Sequence, residues 1–326
     1  MRKYLNWLYH VIIKKQYYQH MKKLLVIYFS QTGQAKQALD ATLTPFKENT
    51  NYKIDYLLVK PKKQFPYPWT YMEFFDVFPE TVHGIPCELE PLRIDTSVNY
   101  DLIVLAYQPW FLSVCVPINS FLQSPEAKQL FLNKPVVTII NCRNMWLGAQ
   151  EKMKQQLLNL KANLVGNITF VDRSSNLTSL VTVLAFVLKG KKENFMGFFP
   201  KYGVNNQDIA NAPSLGNLIS ESIEQGQYSN LQSQLNQKGA LVIKANLLLM
   251  EGRGRALFPL YANYISKKGT AGSGARRTRV RIFGIVLPTA ILLLSPIITI
   301  LSRLAPLLAK KKFDKEISYY AQNSLR

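Results

Sequence analysis

The sequence predicts a doubly wound α/β fold: a five-stranded parallel sheet with helices on both faces, followed by a helical extension and a C-terminal membrane segment. Three observations predict it. Strand-forming runs at 24–29, 52–59, 101–107, 135–141 and 163–171 alternate with helically spaced segments, and such alternation builds a parallel sheet covered on both sides. The first run, LLVIYF, is apolar throughout, as a strand buried on both faces must be. Residues 282–301 carry no charge, and twenty such residues reach across a bilayer.

Taken in order, residues 1–20 form a basic, aromatic N-terminal extension. Asn6, His10 and Lys14 interrupt its apolar part and no small-residue cleavage site follows, so it makes a poor signal peptide. Met21-Lys22-Lys23, directly before the first strand, reads as a natural start. An amphipathic surface helix is the alternative for the residues ahead of it. The α/β domain spans 21–190. Its first helix, 35–43, stops before Pro45, which cannot continue a helix. Segment 61–91 holds six prolines and the aromatics Phe65, Tyr67, Trp69, Tyr71, Phe74, Phe75 and Phe78. It is long and irregular for a connection, so it is expected to pack over something. Helices are expected from Pro117, over 149–160 and over 177–188. A mainly helical extension follows at 191–266, then a small-residue, basic linker at 267–281.

The charge distribution separates function classes. Residues 1–23 carry six Lys/Arg and no acid, and residues 253–326 carry fourteen against two acids, Asp314 and Glu316. The middle, 24–252, holds 20 basic and 18 acidic residues. A nucleic-acid binder spreads its basic face over the folded module, so no nucleic acid is expected here. Cationic ends point instead to anionic headgroups. Arg276, Arg277, Arg279 and Arg281 precede the apolar stretch, and Arg303, Lys310, Lys311 and Lys312 follow it. Pro288 and Pro296 interrupt it. The expectation is a membrane anchor over 282–309, as a single span or a re-entrant hairpin, with a basic tail at 310–326 and the domain on the cytoplasmic face of the inner membrane. Cys87, Cys115 and Cys142 form no CxxC pair, which argues against a disulfide scaffold. With only His10, His20 and His83 as histidines, no metal site is expected.

The loop Ser30-Gln31-Thr32-Gly33-Gln34-Ala35 lies between the first strand and a helix N-terminus. Unpaired amides and the helix dipole favour an anion there. Ser30 and Thr32 add hydroxyls, and Gly33 lets the backbone approach a phosphate. G-x-G-x-x-G and the Walker pattern are both absent, so a monophosphate fits better than a pyrophosphate. This loop resembles the flavodoxin family's [ST]-x-T-G-x-[TAS] at every defined position. The resemblance implies FMN, with its phosphate on residues 30–35. It implies an isoalloxazine loop at Gln108-Pro109-Trp110-Phe111, with Trp110 stacking, and a second flavin loop at Asn141-Cys142-Arg143-Asn144-Met145-Trp146. Asn141 and Asn144 would bond the pyrimidine edge there, and Trp146 would cover the other ring face.

The run YDLIVLAYQPWF, the aromatic insert 65–78, the NCRNMW loop and the basic-flanked apolar C-terminus together are similar to the dialkylresorcinol condensing enzymes. These flavodoxin-like proteins accompany a ketosynthase. The resemblance implies aromatisation of a 2,5-dialkylcyclohexane-1,3-dione to a dialkylresorcinol, with hydride passing to flavin, and a ketosynthase as partner. A greasy dione agrees with the apolar insert, which offers a wall for alkyl chains. The reaction needs a base. His83 is the only histidine in the domain, and histidine is the residue type that most often serves as a general base; Tyr107 is the second candidate. The alternatives are a membrane-bound quinone or NAD(P)H reductase and a non-catalytic scaffold for the ketosynthase.

Overall fold

A computed structural model describes residues 21–190, 196 and 202–325. The N-terminal extension at 1–20 lies outside the described residues. In chain order the strands are β1 (Lys22–Tyr28), β2 (Tyr52–Leu58), β3 (Leu102–Tyr107), the two-residue β4 (Pro109–Trp110) and β5 (Ser113–Val114), β6 (Pro135–Cys142) and β7 (Asn163–Val171). The helices are α1 (Gln34–Thr42), α2 (Thr44–Glu48), α3 (Tyr71–Asp76), α4 (Phe78–His83), α5 (Val116–Leu122), α6 (Pro125–Phe131), α7 (Leu147–Asn159), α8 (Asn176–Lys189), α9 (Asn206–Gln225), α10 (Leu231–Gln237), α11 (Ala245–Ser266), α12 (Arg277–Leu308) and α13 (Lys310–Tyr320).

The main sheet has the order β2-β1-β3-β6-β7, and every neighbouring pair is parallel. This is the doubly wound order in which the chain leaves β1 in one direction and later crosses to its other side. Side chains alternate between the two helix layers, as the two-residue period of a strand requires. Leu24 and Val26 of β1 face α1, α9 and α10, while Leu25 and Ile27 face α5, α6 and α7; all four are fully buried. Both faces of β1 therefore need apolar residues. The extension supplies part of one layer. Gly216 of α9 comes so close to α1 that a Cβ there would stand 2.1 Å from the Thr42 carbonyl oxygen.

The aromatic insert folds into α3 and α4. Thr70 starts α3 with a reciprocal cap, its hydroxyl accepting from the Glu73 N–H at 3.3 Å while the Glu73 carboxylate accepts from the Thr70 N–H at 3.2 Å. Phe75, Phe78 and Val82 then form a separate core with Ala262, Ile265, Val280 and Phe283 of α11 and α12. Phe78 and Phe283 stack with centroids 3.9 Å apart.

The expected membrane segment is corrected here. Among the described residues, no helix is long and apolar enough to cross a membrane. Segment 277–308 is one helix, and its N-terminal part docks on the domain through buried Val280 and Phe283. Counting uncharged residues missed that part of this apolar surface has a protein partner. The inner-membrane anchorage inferred from this segment loses its basis.

The basic linker is likewise tied down. Arg276 is fully buried. Its Nε donates to Asp76 Oδ1 at 2.7 Å, and its two terminal nitrogens donate to the Glu80 carboxylate at 2.6 and 3.0 Å. The Gly272 N–H donates to Asp76 Oδ2 at 2.7 Å. The basic tail folds back as α13. Tyr320 enters the sheet core, Tyr319 donates to Glu151 at 2.6 Å, and Asn236 donates to the Ala321 carbonyl at 2.9 Å.

Removing the guanidinium leaves two carboxylates facing each other in a shielded site. Arg276→Ala is expected to cost about 3 kcal/mol in urea unfolding. A loss of roughly 0.5 kcal/mol or less, the value of an exposed pair, would show that the ion pairs do not hold the start of α12 on the aromatic insert.

Candidate functional site

The site lies at the carboxyl ends of β1, β3 and β6, where the loops after these strands meet. Ligands of doubly wound sheets bind at this edge, beside the strand from which the chain reverses. A cavity of about 190 Å³ opens there. Its wall includes Gln31, Thr32, Gln34 and Ala35 after β1, Gln108 to Phe111 after β3, and Asn141, Cys142 and Arg143 at the end of β6. The structure thus brings three sequence-separated loops to one hollow. A polar cavity of about 380 Å³ adjoins it and shares Gln34, Tyr202, Gly203 and Val204.

Each loop is held by identifiable contacts. Gly33 caps α1 with φ at +81°, and a Cβ built there meets nothing within 4 Å. The position is roomy yet conformationally reserved for glycine. The Gly33 N–H donates to Ser30 Oγ at 3.2 Å. No acidic residue lies in the first turn of α1, so its amide-rich end carries no counter-charge from that turn. The Gln31 side chain is spent on the aromatic insert. Its Nε2 donates to the Pro66 carbonyl at 2.7 Å, and its Oε1 accepts from Trp69 Nε1 at 3.2 Å. Gln31 therefore pins the aromatic insert over the loop.

Trp110 is held by rings. Phe29, Phe65 and Trp69 meet it edge-on at 5.9, 5.1 and 5.6 Å. It enters β4, which turns at once into β5 through Phe111 and Leu112, with φ at +45° and +58°. A two-residue hairpin wants positive φ at both central positions and usually takes Asn-Gly. Two bulky residues there store of order 1–2 kcal/mol each. Phe111 is held in that conformation between Phe74 and Phe78, each 5.2 Å away. Nothing in the local sequence signals this turn.

Asn141 is buried, its Nδ2 donating weakly to the Gln34 carbonyl at 3.4 Å. Its Oδ1 has no hydrogen-bond partner among the described residues. A buried amide oxygen left unmade costs about 1–3 kcal/mol, and this one belongs to a wall residue of the cavity. Burial pushes the Cys142 thiol well above its ordinary range and lowers the Arg143 guanidinium from its own. Cys142 is thus a protonated thiol at neutral pH. Burial also keeps the Tyr202 hydroxyl protonated.

Several expected site residues stand elsewhere. Trp146 is 1% exposed, donates to the Val242 carbonyl at 3.1 Å and is absent from the cavity wall. It is a core residue, with its one donor spent on the extension. Asn144 is buried and also outside the wall. Tyr107 is sealed in the core, where its hydroxyl donates to Gln150 Oε1 at 2.7 Å, and burial holds its pKa far above the ordinary value. His83 is the exposed last residue of α4 and borders neither cavity. Neither base candidate reaches the hollow. Among the described residues, no group of three His, Cys, Asp or Glu side chains is gathered as for a metal.

Sequence reasoning missed the α8 side of the wall, Val183, Phe186 and Val187. These look like ordinary core positions on an apolar helix. It also missed Glu251, a buried carboxylate on α11 that accepts from the Gly148 N–H at 2.7 Å. The first turn of α7 is thereby capped from another helix.

No family model matches the chain, and no curated protein matches it. Solved structures do. The flavoprotein in complex with FMN from Lactobacillus acidophilus is 18% identical, with 45% of this chain and 93% of that chain covered and a TM-score of 0.37. A putative flavoprotein from Bacteroides uniformis is 16% identical, with 50% and 98% covered and a TM-score of 0.35. RosB, with a bound intermediate, 8-demethyl-8-formylriboflavin-5'-phosphate, is 10% identical, with 69% and 90% covered and a TM-score of 0.33.

Burial pushes the Glu251 carboxyl up to about 7 from an ordinary 4.5. The folded state therefore holds a proton that the unfolded state releases between these values. The associated stability is complete below about pH 4.5 and is lost as pH rises through about 7. The difference is worth about 3 kcal/mol. Glu251→Gln keeps an acceptor for Gly148 but cannot ionise. Urea unfolding at a series of pH values is expected to show the parent losing about 3 kcal/mol relative to this variant between roughly pH 4.5 and 8. Parallel profiles would remove Glu251 as the source.

Proposed function

We propose that the chain is an FMN-dependent oxidoreductase that aromatises a 2,5-dialkylcyclohexane-1,3-dione to a dialkylresorcinol. One observation carries the flavin part. Gln31, Thr32, Gln34 and Ala35 of the 30–35 loop, Trp110 and Asn141, whose Oδ1 is unsatisfied, border a single cavity at the carboxyl edge of the β2-β1-β3-β6-β7 sheet. An anion-seeking helix end, an indole and an orphan acceptor fit a hydrogen-bonding planar heterocycle with one phosphate. The dione reaction rests on the likeness of the YDLIVLAYQPWF, insert and NCRNMW segments to the dialkylresorcinol condensing enzymes.

When bound, FMN supplies the two-electron acceptor that aromatisation requires. The chain's own residues do the rest. Thr32 and the first amides of α1 hold the phosphate, with Gly33 leaving the backbone bare. Asn141 accepts from the ring system. Trp110, fixed by three neighbouring rings, forms an apolar side of the pocket and limits water. Tyr202 is a wall hydroxyl that remains protonated, and it donates to an oxygen of the bound molecules. Arg143 provides positive charge where a dione would carry enolate character.

Absorbance and mass spectrometry of the purified chain are expected to show FMN, or a colourless protein that takes FMN up. Gly33→Val and Asn141→Leu should each weaken FMN at least tenfold, a loss of one good polar or backbone contact (about 1.4 kcal/mol). A chain that is colourless and refuses FMN ends the proposal. Under anaerobic conditions the dione should bleach the flavin stoichiometrically. Bleaching by NADPH with none by the dione would overturn the aromatase assignment.

A further inference from the structure

The sheet-edge cavity has a second neighbour besides the polar one, a cavity of about 410 Å³. The two share Phe74, Pro109, Phe111, Cys142, Arg143 and Val183. From that junction the second cavity runs between α8, the β4–β5 turn and the α11–α12 hairpin. Its size lies within the range of about 300–1,000 Å³ typical of small-molecule sites. Its far walls are aliphatic and aromatic, with Leu180, Leu184, Leu257, Phe283, Leu287 and Ile291 among them. Among the described residues, the charged ones along it are Arg143 at the junction and Arg253, and none is acidic.

We propose that this cleft binds the unbranched aliphatic chain of an amphiphile whose oxygen-bearing head sits at the Cys142–Arg143 junction. The inference rests on the flavin reading only for the occupant of the neighbouring cavity. Three features select this ligand. The cleft is walled mainly by apolar side chains, which rejects a polar molecule. Its charges are cationic, which suits a carboxylate, enolate or carbonyl head and disfavours an amine. It shares six wall residues with the sheet-edge cavity, so a chain seated in it can present its head beside that cavity. The outer end is bordered by half-exposed Leu257, Val286 and Leu294, which give the chain an apolar entry. The hairpin is thus assigned a ligand-binding role.

The test uses the full-length chain and cis-parinaric acid, a fluorescent long-chain carboxylate, with FMN content recorded for every sample. The probe is expected to bind saturably. Dodecanoate should displace it at least tenfold better than hexanoate. Leu257→Asp, at a half-exposed lip, and Ala290→Trp, which fills the cleft, should each weaken the probe at least tenfold while FMN uptake is unchanged. Leu293→Asp, 67% exposed and outside the cleft wall, should leave probe binding as it was. Both cleft variants binding like the parent would overturn the inference, as would Leu293→Asp matching their loss, since the probe would then sit on the outer surface. FMN uptake without probe binding sinks this inference alone. Probe binding with the stated losses in a chain that refuses FMN supports it while the flavin reading fails.

Discussion

A guanidinium removed from water must be given back its hydrogen bonds, and Arg276 receives them from Asp76 and Glu80. Asp76 ends α3 and Glu80 lies in α4, so the clamp fastens the start of α12 to the aromatic insert. Much else depends on that fastening. The insert carries Phe74 and Phe78, which hold the strained Phe111 turn. That turn continues from Trp110, on the wall of the sheet-edge cavity. The charge network thereby reaches the cavity through two ring contacts and one hairpin.

The sheet was legible because parallel strands buried on both faces demand unbroken apolar runs, and LLVIYF or PVVTII has few other uses. The place of the 30–35 loop between β1 and α1 was legible because an apolar run gives way there to Ser, Thr and Gly before helical spacing begins. Trp146 and Tyr107 were not. A tryptophan after a strand has the same local sequence whether it turns to a ligand or to a core carbonyl, and here Val242, about a hundred positions on, decided the matter. The Phe111–Leu112 turn has the wrong residues for its backbone and is imposed by packing from distant helices. Glu251 was invisible for a related reason: a helical glutamate looks solvated until a second helix places its first turn against it.

The C-terminal segment shows where hydropathy alone misleads. A run of uncharged residues is consistent with lipid, with a protein core, or with one face of each. In α12 the residues Val280 and Phe283 are buried against the insert while Ile285 and Leu293 remain exposed. Burial here follows the helix face rather than the mean composition. The arginines that read as a fence around a bilayer segment serve a different end in at least one case, since Arg276 is consumed inside the fold.

The clamp also joins residues 200 positions apart. A chain leaving the ribosome at about 5–20 residues per second exposes its aromatic insert for roughly 10–40 s before the arginine that secures it has been made. During that interval Phe75, Phe78 and their neighbours lack the hairpin that later covers them. Until the hairpin arrives, the nascent chain carries an uncovered patch of rings.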